Sequence, residues 1–244
     1  MRFRDHQVVG HIDDLALRYR NEGADELVFY DITASPQGRS VNRDWVHRIA
    51  RVLDIPFCVA GGIRSVFDAQ AVLNAGAEKI SINTPALENP TLIDLLARRF
   101  GSQCVVVGID TQQVGRRYHA WLFSGDPQRA RVSERRTLDW VREVQERGAG
   151  EIVVNCMSSD GIRQGYDIEH LQKIRSICRV PLVASGGAGS VQHFVDVFTG
   201  AEVDAALAAS VFHSSEIRIP HLKRKLKAAG VPVRSVGRSR VNGS

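Results

Sequence analysis

Short, almost continuously apolar runs alternate along the chain with longer stretches of helical period. The runs are ELVFYD (26–31), PFCVA (56–60), KISIN (79–83), CVVVGID (104–110), EIVVN (151–155), PLVAS (181–185) and DAALAA (204–209). Between them fall DDLALRYRNEG, VNRDWVHRIARVL, SVFDAQAVLNAG, TLIDLLARRFG, RTLDWVREVQERG, IEHLQKIRSIC and VQHFVDVFTG, in which apolar residues recur three and four apart. A strand with one wet face alternates apolar and polar residues; these runs do not, so both their faces are expected to be buried, as in a parallel sheet covered by helices. The pattern predicts an α/β fold of strand–helix units.

Similar segments recur at a fixed distance. GADELVFYDITAS (23–35) aligns with GAGEIVVNCMSSD (148–160), and IPFCVAGGI (55–63) with VPLVASGGA (180–188), both at an offset of 125; GAEKISINT (76–84) pairs with GAEVDAALA (200–208) at 124. Two copies of a four-strand half would close into a (β/α)8 TIM barrel, and 244 residues is close to the roughly 250 of that fold. The run at 104–110 has its first-half counterpart expected before Met1. The reading is therefore a single barrel domain over residues 1–233 whose first strand is missing from this chain, followed by a basic, disordered tail at 234–244.

Composition narrows the function classes. Hydrophobic residues make up 43% and charged residues 24%, which excludes a disordered or fibrous chain. No apolar run approaches the roughly 18 residues of a membrane span, and MRFRDHQVVG lacks the apolar stretch of a secretory signal. Cys58, Cys104, Cys156 and Cys178 are scattered singly and read as reduced, so a cytoplasmic location is expected. The net charge is +5, yet seven cations follow Pro220, where no acid occurs, leaving 25 basic against 27 acidic residues before it. That balance argues against a nucleic-acid surface, and the basic end is expected to be a solvated last helix with a frayed terminus.

In a parallel barrel the chemistry sits at the carboxyl ends of the strands. Gly61-Gly62 and Gly186-Gly187 end two repeat-related runs, where glycine lets backbone N–H groups approach a phosphate beside a helix N-terminus. Asn83-Thr84 and Ala209-Ser210 supply further donors, so the repeat predicts two phosphate sites and a substrate phosphorylated at both ends. Asp110 ends VVVGID, where partial burial suits a carboxylate to proton transfer. Asp31 and Asp160 have weaker claims, and Asn155 and Ser185 are placed to orient polar substrate atoms. At the opposite ends, Glu26, Lys79 and Glu151 enter alternate strands and would share one interior layer, as a polar gate or as solvated rim charges. Glu78 is expected to face outward there. Segment 111–134, around Ser124-Gly125-Asp126, is long for a loop and predicts a hairpin over the mouth. Histidine and cysteine spacing suggests no metal site, and no cofactor motif occurs.

The blocks DELVFYDITAS, IPFCVAGGI, AEKISINTPAL, GSQCVVVGID, RGAGEIVVN, DGIRQGYD, VPLVASGGAG and ALAASVFH resemble, in order, those of the cyclase subunits of imidazole glycerol phosphate synthase. The resemblance implies a histidine-pathway cyclase of the lyase class. It implies that ammonia and a phosphoribulosyl-formimino-aminoimidazole carboxamide ribonucleotide are converted to imidazole glycerol phosphate and aminoimidazole carboxamide ribonucleotide. It implies that Asp110 is a general acid/base, and that Gly62, Asn83, Thr84, Asp160, Gly161, Gly187, Ala209 and Ser210 bind ligand. Ammonia would come from a glutaminase subunit docked on the barrel bottom, where Glu26, Lys79 and Glu151 match a gate and Glu78 a docking rim. The family's first strand, with a first catalytic aspartate, a gate arginine and a loop lysine, has no match in this chain, nor does the extension after Val233. A second reading is an inactive homologue that only binds phosphates or the glutaminase.

Overall fold

The structure is a computed structural model that describes residues 10–31 and 39–234. Among them, helix and strand follow one another as α1 (Ile12–Glu22), β1 (Leu27–Tyr30), α2 (Arg43–Val52), β2 (Phe57–Ala60), α3 (Val66–Asn74), β3 (Lys79–Ile82), α4 (Thr84–Glu88), α5 (Thr91–Phe100), β4 (Val105–Val114), β5 (Arg117–Leu122), β6 (Arg131–Arg136), α6 (Thr137–Glu146), β7 (Glu151–Cys156), α7 (Ile168–Arg175), β8 (Leu182–Ser185), α8 (Val191–Ala201), β9 (Ala205–Leu207), α9 (Ser210–His213) and α10 (Ile219–Ala228). Strands pair in the order β1-β2-β3-β4-β7-β8-β9, every pair parallel, and β5 and β6 continue from β4 as an antiparallel hairpin. This is the helix-covered, curled sheet of a (β/α)8-type barrel, and all seven expected strands lie on its parallel path. β1 and β9 are its ends among the described residues, and Tyr30 on β1 is 52% exposed. The place expected for a first strand and most of the basic tail, 235–244, lie outside the described residues.

Period two along the strands separates two apolar layers. Val105 and Val107 of β4 point out to the helices, joining Ile80, Ile152 and Leu182 against Ile49, Leu96, Trp140 and Phe194. Val106 points in, where it meets Cys58, Val153 and Val183 with Val28, Ala205 and Leu207. Each such side chain contributes about 1.5–3 kcal/mol by leaving water. Helix starts are set locally: Ser65 and Ser190 cap α3 and α8 by accepting from the N–H of Asp68 and His193, at equivalent points of the two halves.

Three expectations change and one holds. The repeat offset of 124 at the last unit becomes 126: β3 starts at Lys79 and β9 at Ala205, because α8 has 11 residues where α3 has 9. The strand expected to end at Asp110 continues to Val114, since β5 pairs with residues 111–114. The connection 111–134 does form a hairpin. Lastly, α10 is not simply a solvated helix: Ile219, Leu222 and Leu226 are buried, and Lys223 reaches Asp25 at 2.7 Å. Among the described residues no helix is long and apolar enough to cross a membrane.

Candidate active site at the carboxyl ends of the strands

The parallel register brings Asp110, Asn155 and Ser185 into one row across β4, β7 and β8. Asn155 Nδ2 donates to Asp110 Oδ1 at 2.8 Å, and Asn83 Nδ2 donates to Oδ2 at 2.5 Å. Ser124, at the far end of the hairpin, donates its hydroxyl to the same Oδ2. Asp110 is thus a buried carboxylate held by three neutral donors. Burial raises its pKa, the donors pull against that, and the nearby Asp160 carboxylate adds to the rise, so it ends above the ordinary carboxylate value. Asp160, partly buried beside Asn155 and Gly161, is also raised, with burial the main cause. The amide oxygens of Asn83 and Asn155 are buried without a hydrogen bond.

The hairpin is positioned by backbone geometry. Phe123 adopts φ +54°, a left-handed conformation unusual for a side chain of that size, and its N–H donates to Thr84 Oγ1 at 2.8 Å. The Arg129 and Arg131 guanidiniums lie 4.1 and 4.8 Å from its ring centre. This anchored elbow directs Ser124 onto Asp110. Sequence reading singled out the segment but not that contact; the serine at its apex was the available signal.

The two glycine corners follow β2 and β8, so they lie at the same end of the parallel sheet, two strands to either side of β4. Gly61 and Gly62 have φ +90° and +68°, Gly186 and Gly187 +85° and +113°. A Cβ on Gly61 would meet the Asp31 carbonyl at 2.4 Å, and one on Gly186 would meet the Cys156 carbonyl at 2.9 Å and Asn155 Oδ1 at 2.7 Å. Asp31 and Cys156 are themselves repeat partners at 125. The halves therefore share one construction, in which the corner presses on the end of the preceding strand. Asn83 and Ala209 head α4 and α9 with matching backbone, φ −127° and −121°. Asp31 itself forms a bidentate ion pair with Arg39, 2.8 Å to each oxygen.

At the amino ends, Lys79 Nζ donates to Glu26 and Glu151, 2.7 Å to each. Burial opposes the lysine charge, but the two carboxylates outweigh it and raise its pKa; Glu151 is raised by burial despite Lys79. The rim reading for these three residues is thus replaced by a closed, half-buried triad. Glu78 is exposed, as expected, with one oxygen accepting from the Phe57 N–H at 2.9 Å.

Comparison with known proteins agrees with this geometry. The family model described as "Histidine biosynthesis protein" matches residues 1–218. The chain is 59% identical over 236 residues to the imidazole glycerol phosphate synthase subunit HisF of Klebsiella oxytoca, covering 96% of this chain and 92% of the relative. It has the same identity and coverage, over 237 residues, with that of Citrobacter koseri, and 58% identity over 236 residues, at the same coverage, with that of Salmonella arizonae. Family model, sequence identity and barrel together settle the assignment: this chain belongs to the histidine biosynthesis protein family, in the group of imidazole glycerol phosphate synthase HisF subunits.

Proposed function

We propose that the chain is the cyclase of an imidazole glycerol phosphate synthase, a lyase-type enzyme of the cytoplasm. It uses ammonia from a glutaminase partner to convert the phosphoribulosyl-formimino-aminoimidazole carboxamide ribonucleotide to imidazole glycerol phosphate and aminoimidazole carboxamide ribonucleotide. The observation that carries this reading is a buried carboxylate on the strand midway between two repeat-related glycine corners. Gly61, Gly62 and Thr84 receive one phosphate and Gly186, Gly187, Ala209 and Ser210 the other, each beside a helix start. Asp110 then faces the substrate centre, where its raised proton affinity suits it to proton transfer. Asn83, Ser124 and Asn155 fix its orientation, while Ser185, Asp160 and Gly161 complete the polar rim.

Ammonia enters past Glu26, Lys79 and Glu151, from a partner docked around Glu78. The inner layer of Cys58, Val106, Val153 and Val183 favours neutral ammonia over ammonium, because a bare cation is costly to carry through an apolar interior. The test is turnover of the bisphosphate by the purified chain with an ammonium salt at alkaline pH, followed by loss of substrate absorbance, then with glutamine plus the glutaminase subunit. Turnover in both is expected. Tight substrate binding with no turnover in either would overturn the enzyme in favour of a phosphate-binding homologue.

A further inference from the structure

Outside the sheet wall, a second concavity of about 400 Å³ lies between the β4–β5 turn and the first turns of α6 and α7. Arg116 and Arg117 enter it from the turn, Arg136 from the end of β6, and Tyr118 and His170 form its floor. The acids on its walls are already matched: Asp139 pairs with Arg142 at 3.2 Å and Glu169 with Lys173 at 2.6 Å. Arg116, Arg117 and Arg136 have no carboxylate partner among the described residues. Three arginines without a carboxylate partner line this one groove, although the chain up to Pro220 has fewer basic than acidic residues. Such a concentration favours an anion over an empty groove.

The floor is rigid before any ligand arrives. The Tyr118 ring stacks on His170 with centres 3.6 Å apart and planes 11° from parallel, and its hydroxyl donates to Asp167 at 2.6 Å. His170 Nε2 lies 3.2 Å from Thr111 Oγ1, which lies 2.6 Å from Thr137 Oγ1, all three residues being buried. A pre-formed floor with guanidiniums arriving from separate points fits a ligand with several phosphate groups, since each planar guanidinium can take two oxygens of a different one. We propose that this groove is a binding site for a small oligophosphate anion, held by Arg116, Arg117 and Arg136 over the Tyr118–His170 floor.

Isothermal titration of the full chain with inorganic tripolyphosphate at physiological ionic strength tests this. Because the mouth also offers phosphate sites, four proteins are compared. The wild type is expected to bind, the double variant Arg117→Ala, Arg136→Ala to bind at least tenfold more weakly with its melting temperature unchanged, and Ser210→Ala, which removes a donor of the mouth, to retain the binding event that the double variant loses. Arg116→Glu, at an exposed turn, is expected to weaken binding as well. Absence of binding to the wild type, wild-type affinity in the double variant, or a loss in Ser210→Ala equal to that of the double variant would each overturn the site.

Discussion

At the amino ends of the strands, Lys79 sits between Glu26 and Glu151, 2.7 Å from each; at the carboxyl ends, Asp110 is held by Asn83, Ser124 and Asn155, none of which is charged. The same inner layer of Cys58, Val106, Val153 and Val183 separates the two groups. Below it, two carboxylates hold the lysine more firmly in its cationic form, while burial still raises Glu151. Above it, burial works against the carboxylate with no cation in its hydrogen-bonded shell to cancel the cost, so its proton affinity rises. A barrel interior thus accommodates charge in two ways. Ion pairing makes a static element, and neutral hydrogen bonding leaves a group whose charge can still change, as proton transfer requires.

The largest expected effect comes from removing the adjustable charge. Asp110→Asn should lower ammonia-dependent turnover by about 10² to 10⁴-fold, the usual contribution of a positioned proton-transfer group. Stability should move the other way. A carboxylate whose pKa is raised by folding binds its proton more tightly in the folded state, so it favours folding below its unfolded value and opposes folding as pH rises through the folded value. At neutral pH the variant should therefore melt at or above the wild-type temperature, and that advantage should fade on acidification. Loss of activity together with a lower melting temperature at pH 7 would mean that Asp110 is a structural residue.

The contrast between the ends was partly legible in the sequence. Charged residues that open apolar strand runs, such as Glu26, Lys79 and Glu151, can only sit at a rim or inside a ring, and the repeat placed them in alternate strands. What decides between rim and ring is the reach of Lys79 to both acids, a tertiary property. At the mouth, Asp110, Asn83 and Asn155 were each readable as the polar residue near the end of an apolar run. Ser124 was not, because its contact depends on a hairpin that carries it 14 residues back onto Asp110. The continuation of β4 was not legible: Thr111 is buried while Gln113, on the same face, is exposed, so burial does not alternate along 111–114, and the pairing with 117–120 is what extends the strand. The final repeat unit misaligned because helix lengths differ between the halves, and local similarity of GAE to GAE outweighed the register of the strand that follows.

The next largest effect comes from unbalancing the static end. Lys79→Met leaves Glu26 and Glu151 facing each other without a cation. The expected loss is roughly 1–3 kcal/mol at pH 7, less than the 3–5 typical of fully buried pairs because these side chains still see water. Without its lysine, Glu151 is left with burial and its neighbours, all of which raise its pKa. A raised folded-state value means the variant regains stability relative to the wild type as pH falls from 7 through the carboxylate range. Urea unfolding of both proteins between pH 7 and 4 measures this, and a deficit that stays constant with pH would show that packing, not charge, was lost.

Ser124→Ala sharpens the other side. The Ser124 hydroxyl favours the charged form of Asp110, so its removal should raise that pKa further. The acidic limb of the kcat/KM profile should move to higher pH, with KM little changed. Lys79→Met should leave the limb in place, since that lysine touches only the far end of the interior. A limb that moves in Lys79→Met and stays put in Ser124→Ala would dissolve the separation between the two ends.

The smallest effect is expected at the lower rim. Glu78 is exposed and accepts one backbone hydrogen bond from Phe57, which the carbonyl of a glutamine could accept equally well. Glu78→Gln should therefore shift stability by no more than about 0.5 kcal/mol, and ammonia-dependent turnover should be unaffected. If the glutaminase docks on this rim, the lost charge should weaken the complex a few-fold at low ionic strength, and the difference should vanish in high salt, because an exposed rim charge acts mainly through screened, long-range attraction. Titration of the glutaminase subunit at both salt concentrations separates the cases. A loss that persists in high salt would place Glu78 inside a dry contact, and no loss at either would move the docking face away from the static end.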